Sequence, residues 1–221
     1  MLTFNKNCRL CPRLAGFLDQ VREEHPDYHA LPVSSFGENG SRFLIVGLAP
    51  GMHGANRTGR PFSGDYAGNL LYGSLHKYGF SSSAEALNEA GNANQALRLS
   101  GCRITNAVRC LPPQNKPEPS EIRNCNGFVA EELAILPQGG AILALGTIAH
   151  QTVLMALGQR KSSFSFGHGA QHALPNGLTL FDSYHCSRYN TQTKRLTTAM
   201  FETVIGNIAQ YLKHLESRPA L

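Results

Sequence analysis

Four short apolar runs, widely spaced and each closed by Gly, Pro or Ser, set the rhythm of the chain. They are RFLIVGLAP (residues 42–50), CRITNAVRC (102–110), AILALG (141–146) and LTLFDSY (178–184). Aliphatic runs this brief, with turn residues at their ends, predict buried strands rather than helices. A helical period occupies the stretches between and after them. Residues 67–77 place Leu70, Leu71, Ser74 and Leu75 on one stripe. Residues 121–136 do so with Ile122, Phe128, Val129, Leu133 and Leu136, and 147–157 follow the third strand directly. The last helix, 196–215, aligns Leu196, Met200, Val204, Ile208, Leu212 and Leu215 near i, i+4 spacing, an amphipathic closure of the fold. Strands alternating with helices predict an α/β domain with a parallel sheet. Ligands of such sheets bind beyond the carboxyl ends of the strands. The unusual sequences lie at such ends, after Val46, Val108 and Tyr184.

Composition narrows the class. With 221 residues, 42% of them hydrophobic and 16% charged, the chain is expected to form a single domain over residues 1–221 with a substantial core. No run approaches the ~20 apolar residues of a membrane span. Asn5, Lys6, Asn7 and Arg9 lead into no apolar stretch, so no secretory signal is expected. Twenty basic against fifteen acidic side chains give +5, compatible with a polyanionic partner. Arg57, Arg60, Arg188, Lys194 and Arg195, in the loops that follow strands, are candidates for phosphate contacts.

Of six cysteines, Cys8 and Cys11 form a Cys-x-x-Cys pair, and Cys110 and Cys125 flank a Pro-rich arch. A chain of this size with such a pair is better read as a reduced, cytosolic protein than as a disulfide scaffold. Four thiolates suit zinc or an iron–sulfur cluster, and ligand type alone does not separate them. Cys102, inside an apolar run, and Cys186, beside His185, are expected to be small buried residues.

The loop GLAPGMHGANRTGRPFSGD (47–65) carries five glycines, which let backbone approach a flat ligand. It matches neither a Walker loop nor a dinucleotide fingerprint. Phe62 offers a stacking face or a core side chain; Asp65 offers a site carboxylate or a helix cap. His185, at a strand end, is placed to donate to a developing anion or to rest as a satisfied loop histidine.

Taken together, three motifs resemble the uracil-DNA glycosylase superfamily, and within it the iron–sulfur, broad-specificity family 5. They are GLAPGMHGANRTGRPFSGD (47–65), TNAVRCLPPQNKP (105–117) and HCSRYNTQTKRLT (185–197). The resemblance implies a three-layer α/β/α sandwich around a four-stranded parallel sheet. It implies a structural [4Fe–4S] cluster on Cys8, Cys11, Cys110 and Cys125. Gly47, Ala49, Pro50, Gly51, His53, Phe62, Asn106, Ser187 and Asn190 would bind substrate, with Phe62 stacking on the extruded base and Asn106 reading its edge. His185 would hydrogen-bond the base oxygen that gains charge, and the loop after it would enter the duplex. The sister family 4 has an acidic residue where this chain reads Gly51-Met52-His53, which leaves Asp65 as the candidate for water activation. Where the third motif usually begins His-Pro-Ser, this chain has His185-Cys186-Ser187, and the usual Thr-Gly-Arg is Thr193-Lys194-Arg195. The expected activity is excision of uracil, and of other deaminated bases such as hypoxanthine, from double- or single-stranded DNA. The enzyme is expected to be a monomer in the prokaryotic cytosol. The rival reading is a metal-stabilised nucleic-acid-binding protein without catalysis. A second rival, a Cys8-x-x-Cys11 redox enzyme, lacks the thioredoxin-like βαβ context.

Overall fold

A computed structural model describes residues 4–217. The chain runs α1 (Pro12–Glu24), β1 (Phe36–Gly37), β2 (Phe43–Gly47), α2 (Ala55–Thr58), α3 (Tyr66–Lys77) and β3 (Cys102–Asn106). It continues α4 (Pro119–Ala134), β4 (Ala141–Leu145), α5 (Thr147–Ala156), β5 (Gln171–Ala173), β6 (Thr179–Ser183), α6 (Arg188–Gln192) and α7 (Thr198–Glu216). The sheet order is β1-β3-β2-β4-β6-β5. Its four inner strands are mutually parallel and are the four expected from sequence. The sheet is nevertheless six-stranded. β1 and β5 pair antiparallel at the two edges, and at two and three residues they are too short to carry an alternating pattern.

Inner strands β2, β4 and β6 are buried along their whole length, because helices cover both faces. On one face Phe43, Ile45, Ile104, Leu143 and Phe181 pack against Leu71 and Leu75 of α3 and Phe201, Val204 and Ile208 of α7. On the other, Leu44, Val46, Ile142, Ala144 and Leu180 meet Val129 and Leu133 of α4 and Ala149, Val153 and Leu154 of α5. This is the three-layer sandwich.

Helix starts follow local chemistry. Asp65 caps α3 by accepting from Gly68 N–H at 2.9 Å. α4 begins at Pro119, earlier than the apolar stripe alone indicates, because Glu118 and Glu121 close a capping box around it. The chain leaves β2 through α3 toward one face, and α4 and α5 cover the other. The order reversal therefore falls between β2 and β4, and a crevice opens beyond the strand ends there.

Candidate active site

A cleft of about 630 Å³ occupies that crevice. The segment after β2 gives it Leu48, Ala49, Gly51, Met52, His53 and Gly54; Gly64, Asp65, Tyr66 and Ala67 come from the start of α3. His185, Ser187 and Arg188 arrive from the end of β6, and Asn115 from the turn after β3. Sheet register pairs Gly47 directly with Asn106. A Cβ on Gly47 would lie 2.6 Å from Phe62 Cζ, and closer still to Asn106 Oδ1. Glycine at this strand end is what lets the two side chains meet.

Phe62 is held in a left-handed backbone conformation, φ 55°, which costs a non-glycine residue on the order of 1 kcal/mol or more. Its surroundings fix it there. The Phe62 carbonyl lies so close to Gly68 that a Cβ would overlap it, and the Tyr72 hydroxyl donates to the neighbouring Pro61 carbonyl at 2.9 Å. The ring stacks near His185, with centroids 6.0 Å apart and planes at 28°. Asn106 is 4% exposed, and its Oδ1 has no hydrogen-bond partner among the described residues. A buried acceptor without a partner costs about 1–3 kcal/mol, so this atom is prepared for a donor from outside.

Asp65 uses its two oxygens differently. Oδ1 caps α3, while Oδ2 faces Gly51 and Gly54. A Cβ on Gly54 would come within 2.7 Å of Oδ2. Burial raises the carboxyl above its ordinary range, and backbone N–H groups of Gly68 and Ala67 oppose the rise. Burial likewise lowers His185 to about 4, so its imidazole is neutral at pH 7. The Asn190 side chain donates to the His185 carbonyl at 2.8 Å, and Ser187 caps α6. Asn190 thus stands behind the cleft wall as a support for His185, and Pro50 is buried beneath the loop rather than lining it.

Residues without an assigned role from sequence also shape the site. Tyr28 holds His53 through a 2.8 Å hydroxyl–Nδ1 contact, with His25 stacked on Tyr28. Asn115 reaches the cleft because it and Gln114 both adopt left-handed conformations. Tyr189 on α6, 70% exposed, follows the cleft residues Ser187 and Arg188 in the chain. Asn115 and Tyr189 had no local signal beyond lying in a motif, and His25 and Tyr28, outside all three motifs, had none. Of the five basic candidates, Arg188, Lys194 and Arg195 are exposed. Arg60 is turned away: its Nη1 donates to the Asn94 carbonyl and its guanidinium covers the Phe36 ring at 4.4 Å.

The four paired cysteines converge elsewhere. Cys8, Cys11, Cys110 and Cys125 line one small cavity with Leu14, Val108 and Phe128. Arg13 of α1 clasps Glu121 of α4 at 2.8 and 2.7 Å, and Asn124 donates to the Leu10 carbonyl, so the N-terminal segment is tied to α4. Burial and the neighbouring sulfurs push Cys110 up to about 12, and burial lifts Cys125 to about 11. No three of these sulfurs lie within 4.8 Å of one another. Cys102 and Cys186 are fully buried apart from this group.

The model of the uracil DNA glycosylase superfamily matches residues 34–209. A type-5 uracil-DNA glycosylase of Thermus thermophilus is 48% identical over 205 residues, 90% of each chain. One of Mycobacterium tuberculosis is 39% identical over 205 residues, 89% of this chain and 75% of its own. A type-4 enzyme of Pyrobaculum aerophilum is 33% identical over 156 residues, covering 70% of this chain and 63% of its own. With the motif loops gathered at one crevice and this similarity spanning nearly the whole sequence, the chain belongs to the uracil-DNA glycosylase superfamily, in its type-5 branch.

Proposed function

We propose that this protein is a monofunctional DNA glycosylase that extrudes uracil from DNA and hydrolyses its N-glycosidic bond, leaving an abasic site. The observation that carries the reading is the unpartnered, buried Oδ1 of Asn106 against the Phe62 ring, which sits behind the cleft wall and reaches it through the His185 ring, while His185 and Asp65 line the cleft itself. A base must leave the helix before its glycosidic bond can be reached, and stacking on Phe62 offsets part of that cost. Asn106 Oδ1 accepts the uracil N3–H while its amide donates to O4. Cytosine presents the opposite pattern and is rejected. Hypoxanthine offers a ring N–H beside a carbonyl, as uracil does, and so belongs among the substrates.

As the bond between base and sugar breaks, negative charge gathers on the base and positive charge on the sugar. Neutral His185 donates to the charged base oxygen, and one such positioned donor is worth roughly 3 kcal/mol. Asp65 Oδ2 stabilises the sugar cation and orients the water. The water oxygen bonds to the anomeric carbon, and its proton ends on the departing base. Exposed Tyr189 fills the gap left in the duplex, while Arg188, Lys194 and Arg195 follow the phosphates of double- or single-stranded DNA.

Cys8, Cys11, Cys110 and Cys125 would hold a [4Fe–4S] cluster. Four ligands at ~2.3 Å from one zinc ion stand about 3.8 Å apart, and no three of these sulfurs gather even within 4.8 Å of one another, which favours the larger cluster. When bound, it supplies a covalent tie between the N-terminal segment and α4. The protein acts as a monomer in the prokaryotic cytosol. The test is a uracil-bearing oligonucleotide incubated with the protein and then treated with alkali. Strand cleavage at uracil supports the proposal; intact strands, or cytosine excised as fast as uracil, refute it.

A further inference from the structure

Three side chains with no part in the cleft meet near the far edge of the sheet. His150 on α5, His172 on β5 and Asp182 on β6 bring three ligand atoms within 4.8 Å of one another, the only such trio among the described residues. Asp182 is fully buried, and each of its oxygens faces an imidazole. Oδ1 lies 2.8 Å from His150 Nδ1, and Oδ2 lies 3.3 Å from His172 Nε2.

His150 carries the reasoning. Its Nε2 lies 2.9 Å from the Phe164 carbonyl, which can only accept, so Nε2 carries a hydrogen. In a neutral ring Nδ1 would then aim a lone pair at a carboxylate oxygen, in a site where both residues are at most 2% exposed. Either a proton or a metal cation between the two relieves that repulsion. An ion pair needs only one histidine. Here a second nitrogen, from a third element, converges on the same carboxylate. Two imidazoles and a carboxylate are a recurrent zinc donor set, and an N–H given to a backbone carbonyl is the usual outer support of a ligating histidine. The Phe164 and Phe166 rings stand edge-on to the histidines and keep bulk water out. His172, with 17% of its side chain exposed, leaves an entry from the edge strand.

We propose that His150, His172 and Asp182 form a binding site for one divalent transition cation of the zinc class. Water completes its coordination. The ion fastens α5 and the edge strand β5 to β6 just ahead of His185, so it stiffens the strand that delivers that side chain. The site is separate from the four cysteines in place and in donor chemistry, and it stands whether or not the glycosylase reading does.

The experiment titrates zinc into the full-length protein with its iron–sulfur cluster loaded, so that the four cysteines are occupied, followed by calorimetry and by melting temperature. X-ray absorption at the zinc edge then identifies the neighbours. The expected result is one saturable site, a melting temperature that rises with zinc, and only nitrogen and oxygen scatterers near ~2.0–2.1 Å. His172→Gln, whose amide can still donate to Asp182 Oδ2, should melt close to wild type without zinc and lose at least about 100-fold in affinity; His172→Ala should lose the same affinity and melt lower without zinc, because it strips a partner from a buried carboxylate. No saturable binding up to about 100 μM zinc would leave a proton as the occupant and overturn the proposal. So would unchanged affinity in both His172 variants, or sulfur scatterers at ~2.3 Å.

Discussion

Replacing Asp65 by Asn separates its two duties. The cap needs only an acceptor, and Asn caps a helix as well as Asp does, so Oδ1 to Gly68 N–H should survive. Burial raises the Asp65 carboxyl, so the ionised form costs stability at neutral pH, and the neutral amide removes that cost. The variant should therefore melt at or slightly above the wild-type temperature. The lost charge acts elsewhere. Oδ2 faces the cleft past Gly51 and Gly54, and a water between it and the sugar sets a separation of about 5 Å. At an effective dielectric of about 20, a unit charge at that distance contributes about 3 kcal/mol, or about 200-fold in rate. The assay is single-turnover excision from a uracil duplex with enzyme in excess, with DNA affinity measured by anisotropy. Affinity should hold, because the interaction belongs to the transition state. Below neutrality, wild-type activity should fail at a pH above the ordinary carboxylate range, and the residual activity of Asp65→Asn should lack that acid limb. A wild-type rate in a stably folded Asp65→Asn protein would return this residue to capping alone.

Other outcomes test the remaining parts. Cys125→Ala should lose iron and brown colour and melt far lower, whereas Cys102→Ala and Cys186→Ala should keep the colour; iron analysis decides. The folded pKa of His185, about 4, lies below its unfolded value of ~6.5, so its contribution to stability is complete above ~6.5 and lost as pH falls toward 4. Denaturant titrations should show His185→Gln flattening that decline; an unchanged slope would contradict a half-buried imidazole held neutral in the cleft wall. Affinity for uracil-bearing duplex should fall with salt, and Arg188→Ala and Lys194→Ala should each reduce the log–log slope by about 0.9 while Arg60→Ala does not. Gly47→Ala should cut excision sharply, since its Cβ collides with Phe62 and Asn106; a wild-type rate would mean the two side chains do not form the base site.

The four inner strands and the helices between them were legible in the sequence because burial on both faces leaves unbroken aliphatic runs and helix packing leaves a periodic stripe, both local signals. The motif loops were legible for a similar reason: Gly47, Phe62, Asp65, Asn106 and His185 sit within a few residues of a strand end or a helix start, and parallel strands bring those ends together. Tertiary structure alone decided the rest. The edge strands β1 and β5 exist because inner strands offer them free backbone groups, which no two- or three-residue pattern announces. Arg60 is withdrawn from the basic face by a carbonyl and a ring remote in sequence, and Asn190 becomes a prop for His185 because α6 turns its amide inward. Cys8 and Cys11 reach Cys110 and Cys125 through the Arg13–Glu121 clasp, the Asn124–Leu10 hydrogen bond and the packing of Leu14 on Phe128, all remote in sequence. His150, His172 and Asp182 share no spacing at all. Periodicity records which way a side chain points from its own backbone, whereas strand order and crossover determine what it meets, and that information is distributed over the whole chain.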